Sequence, residues 1–156
     1  AWMGALEANL LTGALLLRAV LPGMRSRRWG RVVNITSAMV KTPHAAMGLS
    51  TAARAGLTAL SRALAREAAP DNVTLNNLLP ERIDTPRQEF MAQRMMKASG
   101  ISRDEARAQI AATIPAGRMG RPEEFGAACA FLCSELAGYI SGQNLQLDGG
   151  AYAGLV

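Results

Sequence analysis

Residues 31–57 read RVVNITSAMVKTPHAAMGLSTAARAGL, and the reading of this stretch decides the fold. It opens on a β-branched run, residues 31–35, which predicts a buried strand bounded by polar residues. It closes on a helix. Thr36 and Ser37 fall where a parallel strand ends, and in open α/β sheets ligands bind outside the carboxyl ends of strands. Within the helix, Ser50 and Arg54 are four residues apart. A hydroxyl and a permanent cation therefore project from one face towards the same crevice.

Upstream, residues 1–24 predict a helix, with Leu6, Leu10, Gly13, Leu17 and Val20 at helical spacing and Pro22-Gly23 as a stop. Apolar residues spill onto its other faces, so it is expected to be mostly buried, against a sheet and another subunit. Downstream, a helix over residues 48–69 carries Leu49, Ala53, Leu57, Leu60, Leu64 and Ala68 as a stripe. Small residues such as Gly56 permit close approach of a neighbour, and Pro70-Asp71-Asn72 ends the helix. Residues 73–79 predict a second strand, closed by Pro80. Residues 87–114 are helical and looser, with Phe90, Met91, Met95 and Met96 together and Gly100 as a break. Pro122, followed by Glu123 and Glu124, starts a last long helix to about residue 137. Residues 145–147 make a last short strand. Strands alternating with helices imply right-handed crossovers and a parallel sheet, as one α/β domain over residues 1–156.

Composition narrows the function classes. The chain has 156 residues, 49% of them hydrophobic, and a formal net charge of +5. The charge comes almost entirely from Arg spread along the chain. The one cluster, Arg25, Arg27, Arg28 and Arg31 around Trp29, offers a single aromatic, so no nucleic-acid partner is expected. Cys129 and Cys133 are one helical turn apart, unlike a metal knuckle or redox pair. They read as free thiols in a reducing, cytoplasmic setting, with no metal site. The most apolar run, residues 10–21, is interrupted by Arg18 and falls short of the ~20 residues that span a bilayer, so no membrane is expected.

Asn34-Ile35-Thr36-Ser37, then a short loop and Leu49-Ser50-Thr51-Ala52-Ala53-Arg54-Ala55-Gly56-Leu57, resembles the active-site segment of the short-chain dehydrogenase/reductases. Ser37 matches the family's Ser. Its Tyr position holds Ser50 and its Lys position holds Arg54. Further matches span the chain: Asn9-Leu10-Leu11-Thr12-Gly13, the Pro80, Ile83 and Thr85 of a Pro-Gly-x-Ile-x-Thr pattern, the turn at residues 114–124, and Asp148-Gly149-Gly150. Glu81 stands where that pattern has Gly.

The resemblance implies a Rossmann-like doubly wound sheet, of which this chain is the C-terminal part, because no Gly-rich turn opens a helix after a strand. It implies NAD or NADP as cofactor, a small carbonyl or alcohol as substrate, and a homodimer or homotetramer built on the first two long helices. It assigns Ser37, Ser50, Arg54 and Asn9 to catalysis and Arg54, Pro80, Ile83 and Thr85 to the cofactor. In the family a Tyr phenol moves the proton, a Lys holds the nicotinamide ribose, and the Ser polarises the carbonyl. A Ser hydroxyl is far less acidic than a phenol, and Arg stays charged, so the proton-transfer pair is non-standard here.

Blander roles stay open beside these. Ser50 also suits a helix cap, Arg54 a salt bridge, and the Met cluster simple core packing, where the family has its substrate-covering segment. His44, the only His, is the side chain whose ordinary pKa suits a replacement proton donor, although a loop His is more often solvated. Glu81 would crowd a phosphate unless it turns outward. The rival to an oxidoreductase is a catalytically silent member of the same fold, kept as a binding or partner subunit.

Overall fold

The computed structural model describes residues 1–155. Its sheet has three parallel strands in the order β1 (Gly30–Ile35), β2 (Val73–Pro80) and β3 (Asn144–Leu147). The register pairs Ile35 with Leu78 and Pro80 with Leu147, so the three carboxyl ends lie side by side. Among the described residues the other edge of β1 pairs with no strand. β2 is central and buried along nearly its whole length, which a strand covered on both faces requires.

Helices cover both faces. On one, α2 (Thr12–Ser26) and α3 (Gly48–Ala68) bury Leu17, Leu21, Leu57, Ala65 and Ala68 against Val73 and Leu75. On the other, α6 (Pro122–Cys133) buries Leu132 against Leu78, with Val33, Phe125 and Leu147 packed around them. This is the doubly wound arrangement that the alternating pattern implies. A third cluster joins α4 (Pro86–Ser99) to α5 (Arg103–Ala112) through Ala92, Ala106 and Ile110. Met91, Met95 and Met96 pack there, so core packing accounts for them, while Phe90 is exposed. Gly100 breaks the two helices at φ 67, a left-handed position that suits Gly.

The N-terminal rod departs from expectation. α1 (Trp2–Leu6) and α2 are joined by a π-helical turn, Glu7–Leu11, into one helix, Trp2–Ser26. The Thr12 hydroxyl donates to the Glu7 carbonyl five residues back, at 2.8 Å, as the wider turn allows. Pro22 does not stop the rod. It lies within the last turns of α2, where few helical bonds remain to lose, and Arg25 ties that end to Glu67 and to Asp71 at 2.8 Å. At 25 residues the rod is long and apolar enough, by length and composition, to cross a membrane, which the run at residues 10–21 alone is not. Its inner apolar residues serve packing: a Cβ on Gly13 would lie 2.8 Å from Leu57, and one on Gly56 would lie 3.3 Å from Leu10. A larger residue at either position would make these leucine side chains shift.

Before α6, Arg118 and Arg121 fork onto the Glu124 carboxylate, which also accepts the Arg121 amide at 2.8 Å. The Arg118 hydrogen bond and then the Arg121 amide lower the Glu124 pKa to about 2. This fixes the turn at residues 118–121, which pairs through Gly120 with the segment just after β2.

Candidate active site

The first half of the site is where the rod meets α3. The π turn places Asn9 so that its amide nitrogen donates to the Ala5 carbonyl at 3.0 Å while its oxygen accepts from Arg54 Nε, also at 3.0 Å. π turns are rare and occur frequently at functional sites. Arg54 is half-buried, and burial lowers its pKa from the ordinary guanidinium value. Among the described residues it is the one half-buried Arg that meets neither a carboxylate nor a backbone carbonyl. The salt-bridged role therefore does not hold, and the terminal nitrogens of Arg54 remain available to an oxygen-rich ligand.

Ser50 is not a cap. The residue before α3 in the capping position is Met47, and the Ser50 hydroxyl, inside the first turn, donates to the Met47 carbonyl at 3.2 Å. It faces an open cavity of about 620 Å³ lined with Trp2, Ala46, Met47 and Leu49. Ser37 caps a short 3-10 turn, Ala38–Val40, its hydroxyl oxygen accepting the Met39 amide at 3.2 Å. That turn packs on α3. The Ser37 O–H can still donate, as a group that polarises a carbonyl must. His44 caps a second 3-10 turn, Ala45–Met47, its Nδ1 accepting the Ala46 amide at 3.3 Å. One of its two nitrogens is thus engaged in local structure.

The second half lies at the carboxyl end of β2. Ile83 bridges Gly120: the Asp84 amide donates to the Gly120 carbonyl at 2.8 Å, and the Gly120 amide to the Arg82 carbonyl at 3.1 Å. Both bonds use the neighbours of Ile83. Its own N–H and C=O consequently face the other way, and among the described residues neither is hydrogen-bonded. Arg82 reaches this arrangement in the left-handed region, at φ 53, where a non-glycine residue is strained. Pro80, Ile83 and Thr85 line a cavity of about 270 Å³ with Ile35, Gln88 and Phe125. Gln88 is buried and its carbonyl oxygen has no partner. A primary carboxamide, with two N–H donors and one acceptor, matches the Ile83 peptide and this oxygen in kind. The residues present therefore fit the amide end of a nicotinamide. Glu81 lines a neighbouring cavity of about 370 Å³, beside Asp148 and Gly149, that shares Ile83 with the first.

The structure thus joins Asn9 to Arg54 directly, and groups Pro80, Ile83 and Thr85 in one cavity. No described hydrogen bond links Ser37 or Ser50 to either group. The free peptide of Ile83 and the orphaned Gln88 oxygen were not foreseen from sequence. The bond accounting around the isolated bridge exposes them.

A family model described as enoyl-(acyl carrier protein) reductase matches residues 1–152. The chain belongs to the short-chain dehydrogenase/reductase family. Among this family's members, it is 38% identical over 151 residues to the 3-oxoacyl-[acyl-carrier-protein] reductase FabG of Vibrio cholerae, covering 97% of this chain and 57% of that protein. It is 39% identical over 128 residues to the NADPH-dependent reductase BacG of Bacillus subtilis, covering 82% and 49% respectively. The structure of YwfH, an NADPH-dependent reductase involved in bacilysin biosynthesis, superposes with a TM-score of 0.85 at 34% identity, over 92% of this chain and 55% of that one. The L-sorbose reductase of Gluconobacter frateurii, solved with NADPH and L-sorbose, gives 0.90 at 29% identity, over 99% and 59%. This short-chain dehydrogenase/reductase chain therefore spans about half the length of the curated relatives it matches. Its sheet is Rossmann-like, as theirs is.

Proposed function

We propose that this chain forms the substrate-side portion of an NAD(P)-dependent oxidoreductase that interconverts a small carbonyl compound and its alcohol. The observation that carries this reading is the unpaired Ile83 peptide beside Thr85 and Gln88, at the carboxyl end of the central strand. Ile83, Thr85 and Pro80 hold the nicotinamide end of the cofactor, and Arg54 binds its ribose hydroxyls. When bound, the cofactor supplies or accepts the hydride. Ser37 donates to the substrate oxygen, and Asn9 fixes Arg54. Relatives named as reductases of 3-oxoacyl groups and of a sugar support a carbonyl substrate. A cytoplasmic setting goes with this reading, since both cysteines are free thiols.

Titration calorimetry of the full-length protein is expected to show NADPH or NADH binding. Thr85→Val should weaken it about tenfold, as the loss of about one hydrogen bond would. A protein that binds neither cofactor is not an oxidoreductase of this kind, and the silent-subunit alternative then stands.

The same reading includes a homodimer or homotetramer. α2 exposes Leu15, Leu16 and Val20, and an apolar groove of about 720 Å³ runs between α2 and α3 past Leu21, Leu60 and Leu64. Contiguous apolar surface of this kind marks an interface, and a two-fold axis would bury it against its own copy. Light scattering at micromolar concentration should give a dimer or tetramer mass; a monodisperse monomer contradicts the assembly.

A further inference from the structure

We infer that Arg107 is a positioning residue for the cofactor: its one guanidinium holds Asp84 and Glu89, and so sets the segment between them, which supplies Thr85 and Gln88 to the nicotinamide cavity. This rests on the oxidoreductase reading above. Arg107 lies on α5 and does not line that cavity, so it acts through the residues it holds.

Arg107 Nη2 donates to Asp84 Oδ2 at 2.7 Å, and Nη1 lies 3.5 Å from Glu89 Oε2. The bond to Asp84 raises the Arg107 pKa. A planar guanidinium can span two carboxylates in this way, as a single ammonium cannot. Among the described residues, Asp84 is the one residue outside 85–113 that a side chain of α4 or α5 reaches by a hydrogen bond or ion pair. The pair of Arg103 with Glu89, at 2.9 and 2.7 Å, stays between the two helices. Their apolar core, around Ala92, Ala106 and Ile110, is also largely their own. Arg107 is therefore the polar tie that fastens this helix pair to the segment after β2.

Asp84 is held at two places. Its amide donates to the Gly120 carbonyl at 2.8 Å, and its carboxylate accepts from Arg107. The Asp84 N–H and the Ile83 C=O belong to one planar trans peptide and point in opposite directions, so whatever fixes Asp84 also aims the free Ile83 carbonyl. Arg82, two residues earlier, sits at φ 53, and strain of that kind persists only where the surroundings over-determine it. The side-chain tie supplies part of that constraint. At the other end of the segment, Glu89 directly follows Gln88, whose buried oxygen has no partner. Thr85 lies between the two held residues, at the start of α4, and its hydroxyl makes no capping bond.

The test uses the full-length protein and titration calorimetry with NADPH. Arg107→Gln is expected to weaken binding about three- to tenfold, between the effects of an exposed ion pair and of a charge-assisted hydrogen bond. Arg103→Gln is the control. It removes the same charge one turn away on the same helix, and an ion pair of the same kind, without touching Asp84, so NADPH binding should stay at the wild-type value. Arg107→Lys should recover part of the loss, because an ammonium keeps the charge and can hold one carboxylate. Asp84→Ala should weaken binding too, and Arg107→Gln should add little in that background, since both remove one contact. The inference is overturned if Arg107→Gln binds NADPH as the wild type does, or loses no more than Arg103→Gln, or if its loss adds fully to that of Asp84→Ala. A second measurement needs no cofactor. Hydrogen exchange at the Asp84 amide should be about tenfold faster in Arg107→Gln than in the wild type, and unchanged in Arg103→Gln. Equal exchange in Arg107→Gln and the wild type also overturns the inference. A wild type that binds neither NADPH nor NADH defeats the oxidoreductase reading instead, and the exchange comparison still judges whether Arg107 holds the segment.

Discussion

Ser50→Tyr combined with Arg54→Lys is expected to raise reduction of ethyl acetoacetate by the full-length protein about 10²-fold or more, the scale of one well-placed general acid. Ser50 sits in the first turn of α3 against an open cavity of about 620 Å³, so a phenol can extend there without displacing packed side chains. Arg54→Lys keeps a cation one turn below it. The compact ammonium so introduced, unlike the planar guanidinium, can stand beside a phenolate and still reach ribose hydroxyls. The change also frees the Asn9 oxygen from its bond to Arg54 Nε, making it available to water. NADPH binding should persist in the double variant. A double variant that binds NADPH as the wild type does and gains no turnover would show that the surrounding frame no longer aligns cofactor and substrate.

How much of this was legible from sequence depends on the range of the interaction concerned. The strands at residues 31–35 and 73–79 and the helix from Gly48 were readable because burial of each imposes its own local period. The π turn was not, since one inserted residue leaves the apolar spacing of the rod almost intact while rotating Asn9 towards Arg54. Pro22 read as a stop because the penalty is local, whereas the ties of Arg25 that hold its helix end come from residues more than forty positions away. The cap role left open for Ser50 rested on residue type alone, and the helix boundary lies three residues earlier, at Met47. The Ile83 peptide carries no side-chain signal at all. Only the strained Arg82 hints at it, and a positive φ at Arg is invisible in sequence. Family resemblance pointed to Ile83 and Thr85, which line one cavity, and the Ile83 peptide is unpaired there.

Asn77→Leu is expected to destabilise the protein by about 1–3 kcal/mol, because it removes two hydrogen bonds made by a fully buried side chain, although its partners Asn34 and Asn144 are only half-buried. Asn34, Asn77 and Asn144 occupy matched positions on the three strands. Asn34 Nδ2 donates to Asn77 Oδ1 at 3.3 Å and to Ser61 of α3 at 2.8 Å, and Asn77 Nδ2 donates to Asn144 Oδ1 at 2.8 Å. Asn77 is fully buried, so no water can replace it. Leucine is of similar size, which limits any cavity effect beside the lost hydrogen bonds. Urea denaturation of the full-length protein measures the loss. The double variant Asn77→Leu with Asn144→Leu should recover part of it, since removing both partners is less costly than orphaning one. Equal stability of Asn77→Leu and wild type would show that the ladder contributes nothing. The ladder lies below the carboxyl ends that carry Ser37 after β1 and Ile83 after β2. Amide bonds there fix strand register where apolar contacts alone would tolerate sliding. Sub-ångström placement of hydride and proton donors depends on that register, so Asn77→Leu should also lower kcat at temperatures where the variant remains folded.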